Sequence, residues 1–216
     1  MARILAFDTA GPHVSVAVSD GQILDEAEIE MARGQGERLV GEIEASLRRA
    51  DIALNAIDLI AVGIGPGNFT GIRIGVSTAR GLALGLGLPA LGVSTFETLF
   101  DTKSPADLVS VAAPQDQTYV QKFRQGRAEG PPQIIDPLAP PTDLLGNANQ
   151  RVIGHRAEDI ARPFQAKWEE EAPKRIAAHM AKVADARLPG LDAPLLRPAP
   201  LYIRPPDAVP RSGRVA

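Results

Sequence analysis

The chain of 216 residues contains no cysteine. That excludes disulfides, thiolate metal ligands and cysteine nucleophiles, and it is compatible with a reducing compartment. A basic surplus is missing as well. The formal net charge of -3 argues against free-standing nucleic-acid binding. No apolar run reaches membrane-spanning length, and no leader pattern stands ahead of the strand-like opening Met1-Ala2-Arg3-Ile4-Leu5. The three histidines, His13, His155 and His179, form neither a His-x-x-x-His nor a His-Glu-x-x-His pair, so the sequence offers no metal site. A Gly-x-Ser-x-Gly elbow is absent. The expectation is a soluble, cytoplasmic protein for which no nucleophile, metal pair or general base can be assembled.

What is present is ordinary in amount and informative in order. The apolar fraction is 44% and the charged fraction 23%, enough for one large domain or two small ones. Arg3 to Asp8 is apolar on both alternations, as in a strand covered on both faces. Val14, Val16 and Val18 alternate with small residues, Asp20-Gly21 marks a hairpin, and Gln22 to Glu30 reads as a third strand. Over Glu37 to Ala50 the period changes, with Leu39, Val40, Ile43 and Leu47 on a helical stripe. A buried strand from Leu59 to Ile64, a helix from Ile72 to Leu86, a short strand from Ala90 to Val93 and a helix start at Thr95 to Phe100 follow. The order is βββαβα, with a parallel crossover in its second half.

Beyond residue 100 the pattern weakens, which divides the chain into lobes 1–100 and 101–216, the second reduced. Leu108 to Ala113 and Thr118 to Phe123 read as a hairpin around Pro114-Gln115-Asp116. Arg151 to Gly154 reads as a strand and Lys174 to Ala186 as a helix. Fourteen of the nineteen prolines lie from Pro131 onward, so the tail is expected to run extended along a surface. Its Arg197, Arg204, Arg211 and Arg214 suit RNA, an acidic partner or simple solvation. No internal repeat is legible.

Two features carry candidate function. The first is the turn Gly65-Pro66-Gly67-Asn68-Phe69-Thr70-Gly71, between a strand and a helix. Glycines there permit close backbone approach, Asn68 or Thr70 can cap the helix, and the helix N-terminus attracts anions. Asp8 and Thr9, at the end of the first strand, are a candidate phosphate or metal-water contact. Against this, the turn lacks the lysine of a Walker loop and the GxGxxG spacing, and such turns commonly hold no ligand. The second feature is the helix itself. From Gly71 to Gly87 its only charges are Arg73 and Arg80, and glycine recurs at 71, 75, 81, 85 and 87. Each internal glycine costs about 1 kcal/mol relative to alanine. A helix apolar nearly all round is buried on more than one side, against another helix or another chain.

"ILAFDTA" and "GPGNFTGIRIGVSTARGLALGLGLPALGVST" resemble the bacterial TsaB (YeaZ) family of tRNA threonylcarbamoyladenosine biosynthesis proteins, historically grouped with glycoprotease-like peptidases. "PLYIRPP" (200–206) is similar to the family's near-terminal Pro-x-Tyr-x-Arg element. The resemblance implies an α/β, actin-like (ribonuclease-H-like) ATPase fold of two lobes. It implies a non-catalytic dimerisation subunit that supports TsaD, with TsaE, in threonylcarbamoyl transfer to adenosine 37 of tRNAs. TsaD would be bound as a heterodimer, a homodimer would form in isolation, tRNA would be met only through the complex, and no membrane is involved. The family pairs through its first two helices, which places a partner interface at Leu39, Ile43, Leu47, Gly71, Gly75, Thr78, Leu82 and Gly85. A vestigial nucleotide site would comprise Asp8, Thr9, Gly65, Gly67, Asn68 and Thr70. No cofactor is required, and weak ATP or ADP binding would occur mostly in the complex. The stretch Ala112 to Tyr119 departs from the family's Asp-Ala-Arg-x-x-Glu-x-Tyr element. The alternatives are a glycoprotease-like hydrolase, a small-molecule kinase and a nucleotide-sensing module.

Overall fold

The computed structural model describes residues 2–99, 107–170, 174–188 and 197–203. Five strands form the first sheet, in the order β3-β2-β1-β4-β5. They are β1 (Ile4–Asp8), β2 (His13–Ser19), β3 (Ile23–Glu30), β4 (Leu59–Gly63) and β5 (Ala90–Val93). β1 runs antiparallel to β2 and parallel to β4, so the three hairpin strands are followed by two crossover strands. Every residue of β1 and β4 is buried, the physical counterpart of their unbroken apolar sequence.

The period-two alternation of β1 divides its side chains between two helical layers. Leu5 and Phe7 point to α1 (Gln35–Arg49) and α2 (Phe69–Leu86), where they meet Leu39, Ile43 and Ala79. Ile4 and Ala6 point the other way, to Ile176, Met180 and Ala184 of α5 (Ile176–Arg187). Each fully buried Leu, Ile or Phe contributes about 1.5–3 kcal/mol by leaving water. The alanines of α5 let its backbone sit close to the sheet, where the Ala177 N–H donates to the Ser15 hydroxyl at 3.1 Å.

The second sheet has the order β10-β9-β6-β7-β8. Its strands are β6 (Leu108–Ala112), β7 (Thr118–Arg124), β8 (Arg127–Ile135), β9 (Arg151–Gly154) and β10 (Lys167–Glu170). β6 is antiparallel to β7 and parallel to β9, and β9 is parallel to β10. Read from β8, the sheet repeats the first sheet strand for strand. The sequence shows no repeat because the two lobes share topology without sharing residues. Reduction of the second lobe falls on its helices. α3 (Thr95–Leu99), which precedes residue 100 but packs on the second sheet through Phe96 and Leu99, and α4 (Ala157–Ala161) have five described residues each, against fifteen in α1 and eighteen in α2.

Two strands were not read from the sequence. β8 carries Pro131 and Pro132 and is mostly exposed, as an edge strand tolerates. β10 is exposed at all four positions, so no apolar alternation marks it. The lobe boundary at residue 100 falls outside the described residues. The helix α5, assigned by position to the second lobe, packs on the first sheet. Residues 197–203 also return there: the Leu201 N–H donates to the Ile64 carbonyl at 2.8 Å. Leu201 and Ile203 meanwhile pack against Phe96, Val109, Phe123 and Ile153. This strap joins the lobes. Arg204, Arg211 and Arg214 lie outside the described residues.

Candidate functional site: the inter-lobe cleft and the α1–α2 face

The glycine turn lies where β1 and β4 end side by side. A Cβ on Gly67 would stand 2.3 Å from the Ala10 carbonyl oxygen, and one on Gly71 would stand 1.9 Å from the Thr9 carbonyl oxygen. These glycines therefore admit a backbone, but it is the chain's own β1–β2 turn. Hydrogen bonds fix the contact. The Asn68 N–H donates to the Ala10 carbonyl at 2.6 Å, and the Thr9 hydroxyl donates to the Gly71 carbonyl at 2.7 Å. Asn68 also caps α2, its Oδ1 accepting the Gly71 N–H at 2.9 Å. Of the two helix caps offered by the sequence, Asn68 is the one used, and Thr70 is exposed.

Beside this turn a cleft of about 1050 Å³ opens between the lobes. Asp8 and Asn68 line it from the first lobe, and Ala112, Pro114 and Tyr119 from the second. Thus the diverged Ala112–Tyr119 stretch does face the cleft. Asp8 is buried, and its Oδ2 accepts the Ala10 N–H at 2.8 Å and faces His13 Nε2 at 2.7 Å. His13 is the site residue that sequence reasoning missed. The only signal was a histidine five positions after Asp8, across a turn tight enough to fold it back. Glu28 and Glu30 form another wall, and the described lining carries no lysine or arginine. A phosphate in this cleft would meet three carboxylates among the described lining residues, Asp8, Glu28 and Glu30. Of the six residues grouped as a nucleotide site, Asp8, Gly67 and Asn68 line the cleft, while Thr9 and Gly65 are buried beside it. Among the described residues no group of three or more His, Asp or Glu is placed to hold a metal ion.

The proposed interface residues separate into two sets. Leu39, Ile43 and Leu47 are buried in the core of the first lobe, against the sheet. Gly71 and Gly75 are buried against Thr9. Leu39 of α1 and Gly71 and Gly75 of α2 thus face inward, whereas Ile43 and Leu47, though nearly buried, also line the floor of the groove between the two helices. The outward stripe runs through Val40, 54% exposed, with Glu44 and Arg48. Thr78 and Leu82 are half-buried, and Gly85 is exposed. Between the helices lies a groove of about 520 Å³ lined by Val40, Ile43, Glu44, Leu47, Arg48, Thr78 and Leu82, with Ile52 and Leu54 beside them.

An ionic clamp holds α1 behind that groove. Arg49 Nη2 donates to buried Glu42 at 2.9 Å, and Arg49 Nε to Asp25 at 2.8 Å. Burial pushes the Asp25 carboxyl up, yet hydrogen bonds from Arg49 and Ser46 and the Arg49 charge outweigh it and hold it below its ordinary value. The same contacts, to Asp25 first and Glu42 second, raise Arg49.

A model of the family described as TsaD, tRNA N6-adenosine threonylcarbamoyltransferase, matches residues 28–166. YeaZ from Pseudomonas aeruginosa superposes with a TM-score of 0.70 at 26% identity, covering 88% of this chain and 93% of its own. The tRNA threonylcarbamoyladenosine biosynthesis protein TsaB of Escherichia coli is 43% identical over 98 residues, 45% of this chain and 42% of that protein. The chain belongs to the TsaB (YeaZ) family. An uncharacterized protein of Mycobacterium tuberculosis extends the similarity to nearly full length, at 31% identity over 214 residues, 97% of this chain and 95% of that one. The TsaB likeness brings with it the actin-like fold, in which both five-stranded sheets take their place.

Proposed function

We propose that this chain is a non-catalytic scaffold subunit for threonylcarbamoyl transfer to tRNA, pairing with a TsaD-family protein. The observation that carries the reading is the apolar groove between α1 and α2, with Val40 exposed on its rim and Leu82 in its wall. Apolar burial there supplies the drive for association. Glu44 and Arg48 on the rim give charged groups that fix orientation. In this reading TsaE joins the pair, and the isolated chain uses the same groove to form a homodimer. The inter-lobe cleft supports the scaffold role by its chemistry. Its turn is filled by the backbone of Thr9 and Ala10, its carboxylates disfavour phosphate, and Asp8 is engaged by His13.

Mixing the chain with the TsaD-family protein of its own organism, followed by size exclusion and calorimetry, tests the reading. A stable heterodimer is expected, weakened at least tenfold by Leu82→Glu or Val40→Glu. Pairing of both variants at wild-type strength removes the groove as interface. The size of the cleft favours one second reading, a nucleotide-sensing module. Calorimetry with millimolar ATP and ADP, on the chain alone and in the mixture, decides it: heat abolished by Asp8→Ala establishes the sensor, and no heat ends it.

A further inference from the structure

The helix α2 presents three faces. Ile72, Val76 and Ala79 cover the sheet. Thr78 and Leu82 face the groove. A third stripe, Phe69, Arg73, Ser77 and Arg80, is exposed throughout. At 100° per residue it lies roughly 150° around the helix from the groove stripe. The strap 197–203 runs antiparallel along it. Arg80 Nε donates to the Pro198 carbonyl at 2.8 Å, and Arg73 Nε to the Tyr202 hydroxyl at 3.2 Å. Because Leu201 and Ile203 point inward, Tyr202 points out, 52% exposed. Its ring centroid stands 5.8 Å from that of Phe69, itself 53% exposed, and the Arg73 guanidinium lies 3.7 Å from the Phe69 centroid.

Among the described residues no carboxylate faces the arginines of this clasp. Residues 59–96 contain no Asp or Glu, and neither do residues 197–203. Elsewhere Arg38, Arg49, Arg151, Arg156, Arg162 and Arg175 each face a carboxylate. Arg73 and Arg80 instead touch a ring, a phenol and a carbonyl, none of which neutralises them. Arg197 adds a third exposed cation at the start of the strap. In a chain of net charge -3 this is a local inversion of sign. Exposed aromatic rings interleaved with arginines that meet no carboxylate among the described residues suit single-stranded nucleic acid, whose bases stack while its phosphates meet the cations.

We infer that the clasp formed by Phe69, Arg73, Arg80 and Tyr202 is an RNA-contacting surface, taking an unpaired base on its rings and backbone phosphates on its arginines. The inference rests on the proposed role in tRNA modification and deepens it. The clasp and the groove occupy different faces of α2, so RNA and the partner subunit bind together without competing. A protein occupant of the clasp is the rival, and the convex, cationic stripe lacks the apolar recess that the groove offers.

Fluorescence anisotropy with a labelled, unmodified tRNA transcript tests this, using the full chain alone and mixed with its TsaD-family partner. Arg73→Glu is expected to lower affinity about tenfold and to reduce the slope of log affinity against log salt by about 0.7–0.9. Tyr202→Ala lowers it about fivefold. Arg73→Lys and Tyr202→Phe keep charge and stacking and retain most of the affinity. Ultraviolet crosslinking joins the transcript to peptides containing Phe69 or Tyr202. Unchanged binding by Arg73→Glu, or no binding by wild type in either form, overturns the inference. So does loss of partner pairing in Arg73→Glu with tRNA affinity intact, which assigns the clasp to a protein. Crosslinking of the chain alone, in the absence of any pairing with the TsaD-family protein, upholds the clasp and sinks the scaffold reading instead.

Discussion

The two lobes share one strand order and differ in what covers it. In the first, α1 and α2 bury one face of the sheet, α5 buries the other, and the outer sides of α1 and α2 are left for a partner. In the second, the five-residue α4 covers one face of the sheet, α3 and the strap residues Leu201 and Ile203 cover the other, and β10 is exposed along its whole length. The sheet is thus the part of the fold that both halves keep, while long helices persist where the groove needs them. Even a local detail recurs. Gly63 ends β4 beside Asp8, and Gly154 ends β9 beside Ser110, each at the close of the strand parallel to the first of its lobe.

That recurrence gives the most disruptive test. A Cβ on Gly154 would lie 2.0 Å from the Ser110 carbonyl oxygen, at a φ of +121°. Backbone collision and left-handed strain together cost Gly154→Ala about 4 kcal/mol in urea denaturation. Gly63→Ala meets a side-chain oxygen, Asp8 Oδ1. Its cost is expected to be smaller, about 2 kcal/mol, because a side chain yields more easily than a backbone. Equal costs would mean that the Asp8 side chain yields no more readily than the Ser110 backbone.

The next contrast lies within α1. Leu39 is fully buried and Val40 is 54% exposed. Leu39→Ala is expected to cost about 3 kcal/mol of stability. Val40→Ala should cost under about 0.5 kcal/mol while weakening partner binding in calorimetry. If Val40→Ala destabilises as much as Leu39→Ala, the outward reading of that stripe fails.

Acid titration separates the lobes more gently. The Asp25 carboxyl is held below its ordinary 3.8, so its contribution is full above that value and lost as pH falls through the lower, folded one. Asp25→Asn should therefore flatten the fall in stability below about pH 4, by about 1 kcal/mol at most at this solvent-accessible pair. The smallest effect expected comes from the lone tryptophan. Trp168 sits half-exposed on β10 and reports on the second lobe alone. Its fluorescence and whole-chain circular dichroism should trace one transition, because α5 and the strap tie the lobes together. Two separated transitions would show that the lobes unfold independently.

Much of the first lobe was legible in the residues themselves. Unbroken apolar runs marked β1 and β4, and a change of period marked α1. The second lobe was less so, since β8 and β10 are exposed edges whose pairing comes from backbone rather than from apolar alternation. Its symmetry with the first lobe lies in connectivity, which no local pattern encodes. At the cleft, Asp8, Gly67 and Asn68 were legible as neighbours because one turn follows each adjacent strand. His13 was not, because its partner is fixed by the tightness of a turn.

The sequence alone determined that no thiol chemistry is available, that α2 is free of acids, and that its glycines require close approach by something. Only the tertiary structure decided what approaches. The Thr9–Ala10 backbone fills the place that the glycine turn offered as one candidate phosphate site, because parallel β1 and β4 end at the same level and their turns must pack. Periodicity likewise set the spacing of Leu39, Ile43 and Leu47 but left two adjacent stripes of α1 open. Burial against the sheet chose one, and by that choice left Val40, with Leu82 of α2, facing outward.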